Sequence, residues 1–222
     1  MIKEGKLGIF LIAIFLMIAT VSAGTVENNY AGPNICKNPG TDTFLGFENG
    51  VDWDPITTQY SGVVFSSGTG SGEWVYGEIT NWNSPIYWGN GNFWAAYGTL
   101  TGDTTGRIDF TNGANYVSVL ISGSSPVVME AYDASGTLLD TAGPTSYNLN
   151  TKTMDRLTVE HAGISYVLVH DTGDFWVMDD LCTDATGSSP VPAPEFPTAL
   201  LPVTMIIGMA GAVFYIQRTR EH

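Results

Sequence analysis

Between residues 24 and 189 no stretch longer than about ten residues carries apolar side chains at the 3.6-residue period of a helix. Short β-branched and aromatic runs recur instead, broken by Gly, Asn, Asp and Ser. Residues 43–48, 57–65, 73–79, 93–97, 107–110 and 116–121 read as strands, as do 127–132, 137–139, 157–160, 164–170 and 175–181. Strands without helices bury an apolar face only against other strands, so two packed layers follow. The expected fold is an all-β sandwich over 43–183. Val127-Val128-Met129-Glu130-Ala131-Tyr132 runs into Asp133-Ala134-Ser135-Gly136 and returns through Thr137-Leu138-Leu139, the pattern of a hairpin. Residues 24–42 are polar and contain Gly, Asn and Pro, and read as a leader into the domain.

Both ends of the chain differ from this middle. Lys3 and Lys6 precede an apolar core at 7–18, and Val21-Ser22-Ala23 is a small-residue cleavage site. Residues 1–23 therefore read as a signal peptide. At the other end, 184–193 is a Ser/Pro linker too poor in apolar residues to bury a core. Beyond it, 199–216 is apolar and uncharged, and Arg218 and Arg220 follow. At ~1.5 Å per residue, a helix over 197–216 reaches about 30 Å, the thickness of a hydrocarbon core. The arginines favour a cytoplasmic end. Pro194-Glu195-Phe196, the apolar span and the basic tip together resemble the PEF-CTERM sorting signal of archaeal surface proteins, a relative of the bacterial PEP-CTERM signal. That resemblance covers 194–222 and implies recognition by an archaeosortase-type membrane protease. It further implies removal of the tail and attachment of the new end to a membrane lipid. A plain C-terminal anchor that is never cut is the alternative.

The middle is strongly acidic. Of 22 acidic residues, Glu4, Glu195 and Glu221 lie outside 24–193, leaving 19 against Lys37, Arg107, Lys152 and Arg156, a formal charge of −15. Nucleic acid is excluded as a partner on this count, because binding it requires cations against phosphate. Cys36 and Cys182 bracket nearly the whole domain. An exported domain sits in an oxidising compartment, so a disulfide between them is expected, with the first and last strands side by side. No N-x-[ST] sequon is present.

Three segments carry a second resemblance. They are Phe47-Glu48 with Tyr60-Ser61-Gly62-Val63-Val64-Phe65, then Ala131-Tyr132-Asp133-Ala134-Ser135-Gly136, then Ile164-Ser165-Tyr166-Val167 leading to Asp179-Asp180-Leu181. Their order is similar to jelly-roll sandwiches of PEP-CTERM-type surface proteins, carbohydrate-binding modules and lectins. The likeness implies a structural calcium ion joining the first strand to the last. Glu48, Asp179 and Asp180 are the residues at those positions, and calcium takes six to eight oxygen ligands. Strand alternation lets only one of Asp179 and Asp180 face a given side. Asp52 with Asp54, and the loop 171–174, are weaker candidates.

Between 74 and 97 lie Trp74, Trp82, Trp88 and Trp94, with Tyr76, Tyr87, Phe93 and Tyr97 among them and Asn81, Asn83, Asn90 and Asn92 interleaved. Flat aromatic rings bind the C–H face of a sugar and amides bind its hydroxyl edge. The same rings can instead fill the core, where each buries a large area. Trp74 and Tyr76, two apart, are expected to share one buried face. Trp82 and Trp88 sit in Asn/Gly/Pro-rich sequence, so Trp82, Trp88, Asn83 and Asn90 form the candidate sugar site. Catalytic signatures are lacking. The exported part has two histidines, His161 and His170, and neither an H-E-x-x-H nor a G-x-S-x-G motif. The expected function is an exported, membrane-anchored surface protein with a lectin-like module and no enzymatic activity. The alternatives are a non-catalytic structural envelope protein and, more remotely, a glycoside hydrolase using two of the many carboxylates.

Overall fold

The computed structural model describes residues 22–69, 72–79, 89–98, 105–171 and 176–186. The helix expected at 199–216, the motif Pro194-Glu195-Phe196 and most of the expected signal peptide lie outside them. No helix among the described residues is long and apolar enough to cross a membrane. Their regular structure is all β. The strands are β1 (Ser22–Ala23), β2 (Thr25–Tyr30), β3 (Thr43–Leu45), β4 (Val63–Ser67), β5 (Glu73–Glu78) and β6 (Phe93–Gly98). They continue with β7 (Gly106–Gly123), β8 (Val128–Tyr132), β9 (Leu138–Ala142), β10 (Met154–His170) and β11 (Trp176–Thr183).

Two long strands hold the sandwich together. β7 and β10 pair antiparallel along their length, from Gly106 opposite Val169 to Ile121 opposite Asp155. The sequence reads each as two short strands, and the structure makes each continuous through a bend. Gly113 and Gly163 take left-handed φ values of +75° and +84° at that bend, and the register shifts between Glu160 and Ile164. The bulge turns the ladder from one layer into the other. The first half of β7 pairs with β4, and the second half of β10 pairs with β8, which carries β9 and then β1. The second half of β7 pairs with β11, which carries β6, β5 and β3, while β2 edges the first half of β10. Every pairing is antiparallel except β1 with β9.

The core lies between the layers. Phe65, Ile108, Phe110, Met129, Val167 and Val169 meet Trp74, Tyr97, Val119, Ile121, Trp176 and Met178 in one cluster. Trp74 stands edge-on to Phe65 at 5.3 Å and to Trp176 at 5.4 Å, and its indole N–H donates to the Ser66 carbonyl at 2.9 Å. Trp74 and Tyr76 share the inner face, as alternation requires.

The stretch 24–42 is more than a leader. Its first part is β2, an edge strand whose exposed face is polar, which is why it shows no apolar alternation. The remainder is a strap across the outer face of the second layer. Asn34 donates to Ser118 Oγ at 3.2 Å, Lys37 pairs with Glu160, and Cys36 is bonded to Cys182 with a Cα–Cα distance of 5.3 Å. Beneath the strap, Ser118, Leu120 and Asp179 are fully buried. The strap, the Gly89–Asn90 run on Asp179 and the Trp94 cluster cover this face, and β11 and the second half of β7, buried on both faces, alternate loosely in sequence.

Candidate functional site

Asp179 and Asp180 sit where β11 loses register with β7, between Asp179 and Cys182. Asp180 has a φ of +48°, the left-handed region. Alternation would send the two carboxylates to opposite faces, but the bulge brings both to one residue. Asn90 N donates to Asp179 Oδ2 at 2.7 Å, and Asn90 Nδ2 donates to Asp180 Oδ2 at 2.8 Å. The strap adds Asn34, whose backbone N–H donates to Asp180 Oδ2 and whose amide donates to the Asp180 carbonyl, each at 2.9 Å. The expectation of one inward aspartate is therefore corrected, because a bulge suspends the two-residue period.

Glu48 braces the chain just beyond Asn90. Its carboxylate accepts from the backbone of Asn92 at 2.9 and 3.1 Å, with Phe93 N 3.4 Å away. This holds the run 91–93 where the chain enters β6. Gly91 lies so close that a Cβ there would stand 2.1 Å from Glu48 Oε1, and one on Gly89 would stand 3.1 Å from Asp179 Oδ2. Gly91 faces the Glu48 carboxylate at clashing distance, and at Gly89 the Trp94 ring, 2.9 Å from the added Cβ, is the tightest neighbour.

Among the described residues the aspartate pair has no cationic partner. The ion pairs among the described residues join Lys37 to Glu160, Arg107 to Asp109, Arg156 to Glu27 and His170 to Glu130, and none reaches it. Burial pushes the Asp179 carboxyl well above the usual carboxylate range, and the Asp180 charge adds to the push. Asp180 is also raised, by burial first, with Glu48 adding and its amide donors opposing. The Asn34 side-chain oxygen is buried without a hydrogen-bond partner. Unneutralised buried carboxylates beside an orphaned amide oxygen fit a hard cation with oxygen ligands. No group of three or more His, Cys, Asp or Glu among the described residues is placed to hold a metal. A cation here would thus rest on amide and backbone oxygens as well as the two aspartates.

The candidate sugar site falls largely outside the described residues, which include neither Trp82, Asn83 nor Trp88. Asn90 is described, and it spends its amide hydrogens on Asp180 and on the Gly32 carbonyl at 3.0 Å. Trp94 is fully buried with Val75, Ala96 and Val177 in a second cluster on the outer side of β5, β6 and β11. Of the weaker acidic candidates, Asp52 accepts from Glu78 N at 2.9 Å. Asp174 lies outside the described residues.

A set of aromatic and charged residues not singled out in the sequence lies on the outer face of the first layer. Tyr132 of β8 and Tyr166 of β10 are opposite partners, with rings stacked at 5.1 Å and 10°. The Arg107 guanidinium lies 3.6 Å from the Tyr166 ring centre and donates through Nε and Nη2 to Asp109. Tyr132 Oη donates to Glu130 Oε2 at 2.6 Å, and His170 Nε2 stands 3.5 Å from the same oxygen. The available signal was the alternation Arg107-x-Asp109 and Glu130-x-Tyr132. Only strand register shows that the two pairs share a face.

No known protein family and no curated relative matches this chain. Solved structures are similar to it at a low level, two of them as follows. One is the enzymatically active domain of tailspike protein 4 of bacteriophage CBA120, at 12% identity and a TM-score of 0.27 over 63% of this chain. The match spans 21% of that longer chain. The other is a cleaved adhesin domain of Lys-gingipain from Porphyromonas gingivalis, at 20% identity and a TM-score of 0.30, covering 67% of this chain and 100% of that one. Likenesses at these scores carry no argument about function.

Proposed function

We propose that this chain is an exported cell-surface protein whose sandwich, read as a jelly roll, is a lectin-like recognition module. It is held at the outer face of the membrane by its C-terminal segment, which an archaeosortase-type enzyme cuts at Pro194-Glu195-Phe196. The observation that carries this reading is the Cys36–Cys182 bond, which ties residues 146 apart and fixes the strap to the last strand. Such a bond belongs to an oxidising compartment. The acidic surface suits a solvated exterior and disfavours nucleic acid.

A structural calcium ion belongs to this reading. Asp179 and Asp180 would hold it, with oxygens of Asn34 and Asn90 and of the backbone completing the set and Glu48 ordering the run beside it. Bound there, it supplies charge neutralisation and fixes the root of the segment that leads from β5 to β6 and carries Trp82 and Trp88. The module is proposed to bind sugar without turning it over.

The test is glycan-array binding by the purified full-length protein, with polysaccharide turnover followed in parallel. Glycan binding without turnover supports the lectin-like reading, and turnover would support the glycoside-hydrolase alternative. Ordered self-assembly with no glycan binding would favour a structural envelope protein. The exposed apolar side chains Ile35 and Phe44, 65% and 48% accessible beside the disulfide, are the observation on that side.

A further inference from the structure

The two layers of the sandwich differ on their outer faces. On the outer face of the second layer, where the strap and the Gly89–Asn90 run lie, Ser118, Leu120 and Asp179 are inaccessible. The outer face of the first layer carries side chains about one-third exposed, with Arg107 and Asp109 at 33% and 34% and His170 and Glu130 at 31% and 27%. We propose that this open face, built by Arg107, Asp109, Glu130, Tyr132, Tyr166 and His170, is a glycan-contact surface for neutral sugars whose named residues do not include Trp82 or Trp88. The proposal rests on the lectin-like reading and names a site for it.

Three features point to a neutral, hydroxyl-bearing ligand. The first is charge. The chain has a formal charge of −14 with histidine neutral, and on this face the Arg107 guanidinium offsets Asp109 while Glu130 has an imidazole, His170, beside it at 3.5 Å. A polyanion is repelled by the surrounding molecule. An uncharged ligand meets no such bias.

The second is hydrogen-bonding capacity. Arg107 has five N–H groups and gives only part of them to Asp109. Glu130 Oε1 and His170 Nδ1 have no partner among the described residues, since the contacts of these two side chains run through Oε2 and Nε2. Donors and acceptors thus stand side by side, and a sugar hydroxyl both donates and accepts. The third is rigidity. Arg107, Tyr166 and Tyr132 stack in a row across β7, β10 and β8, so little side-chain freedom is lost when a ligand settles. The row stands on the middle of a sheet, which places it more firmly than a loop would.

The test uses the full-length protein, a printed array of neutral glycans, and the variants Tyr132→Ala, Glu130→Gln and Trp88→Ala. Near-UV circular dichroism verifies the fold of each, and Tyr132→Phe serves as the milder change, since it keeps the ring stack and removes only the hydroxyl. The proposal expects a loss of about tenfold or more in affinity for Tyr132→Ala and Glu130→Gln. Unchanged binding in these two, with loss in Trp88→Ala, would overturn the site and leave the lectin-like reading standing. No binding by the unaltered protein to any glycan would overturn the reading and the site together.

Discussion

Asp179 and Asp180 give the sharpest residue-scale expectations. Both carboxyls are raised above their unfolded value, so the folded state binds protons more tightly than the unfolded one. Their favourable contribution is complete below the unfolded value near 3.8 and is lost as pH rises through the raised folded values. With cations removed by chelator, thermal stability contributed by this pair should therefore increase as pH is lowered from 7 towards 5. Calcium added at pH 7 should raise the melting temperature, and Asp179→Asn should flatten the pH dependence and blunt the response to calcium. Melting curves at several pH values, with and without calcium, check all three. Gly91→Ala is expected to cost about 1–3 kcal/mol, because φ is +71° and the new methyl would meet the Glu48 carboxylate. Urea denaturation measures it. The aspartates were legible in the sequence as acidic neighbours on a last strand. Their convergence was not, since it depends on a bulge that no local residue pattern announces.

At the scale of elements, the strap decides stability. It crosses the second layer and is fastened by Asn34 on Asp180, by Lys37 on Glu160 and by the Cys36–Cys182 bond. Closing a loop of this length contributes roughly 5 kcal/mol in the chain-entropy model, as an upper figure. Reduction, or Cys36→Ser with Cys182→Ser, should lower the melting temperature substantially, and an unchanged value would show that the strap holds without its bond. Most central strands could be read from β-branched and aromatic runs between turn residues, and the 128–142 hairpin came through with its Asp133–Gly136 turn. The strand β2 could not, because an edge strand with a solvated face has no apolar partner to alternate with. The bends in β7 and β10 looked like strand ends because Gly113 and Gly163 are ordinary turn signals. Only the pairing of the two bends opposite each other makes them corners of a continuous ladder.

Taken as a whole molecule, the chain places its chemistry unevenly. One outer face carries the strap beside a buried acidic pair, and the other is open and carries Arg107 stacked in a row with Tyr166 and Tyr132. That asymmetry suits a module presented at a surface, with one side stiffened and the other free to meet a ligand. It was invisible in composition, where the same residues are merely part of an acidic β-rich chain. The central claim is that this sandwich folds outside the cell and is delivered there by its two apolar ends. Intact-mass spectrometry of the protein recovered from the membrane fraction of its own cells, under non-reducing conditions, tests this most directly. The account predicts a chain beginning at Gly24, lighter by two hydrogens for the Cys36–Cys182 bond, and lacking the residues that follow Pro194-Glu195-Phe196. A mass corresponding to all 222 residues with both thiols free would contradict it.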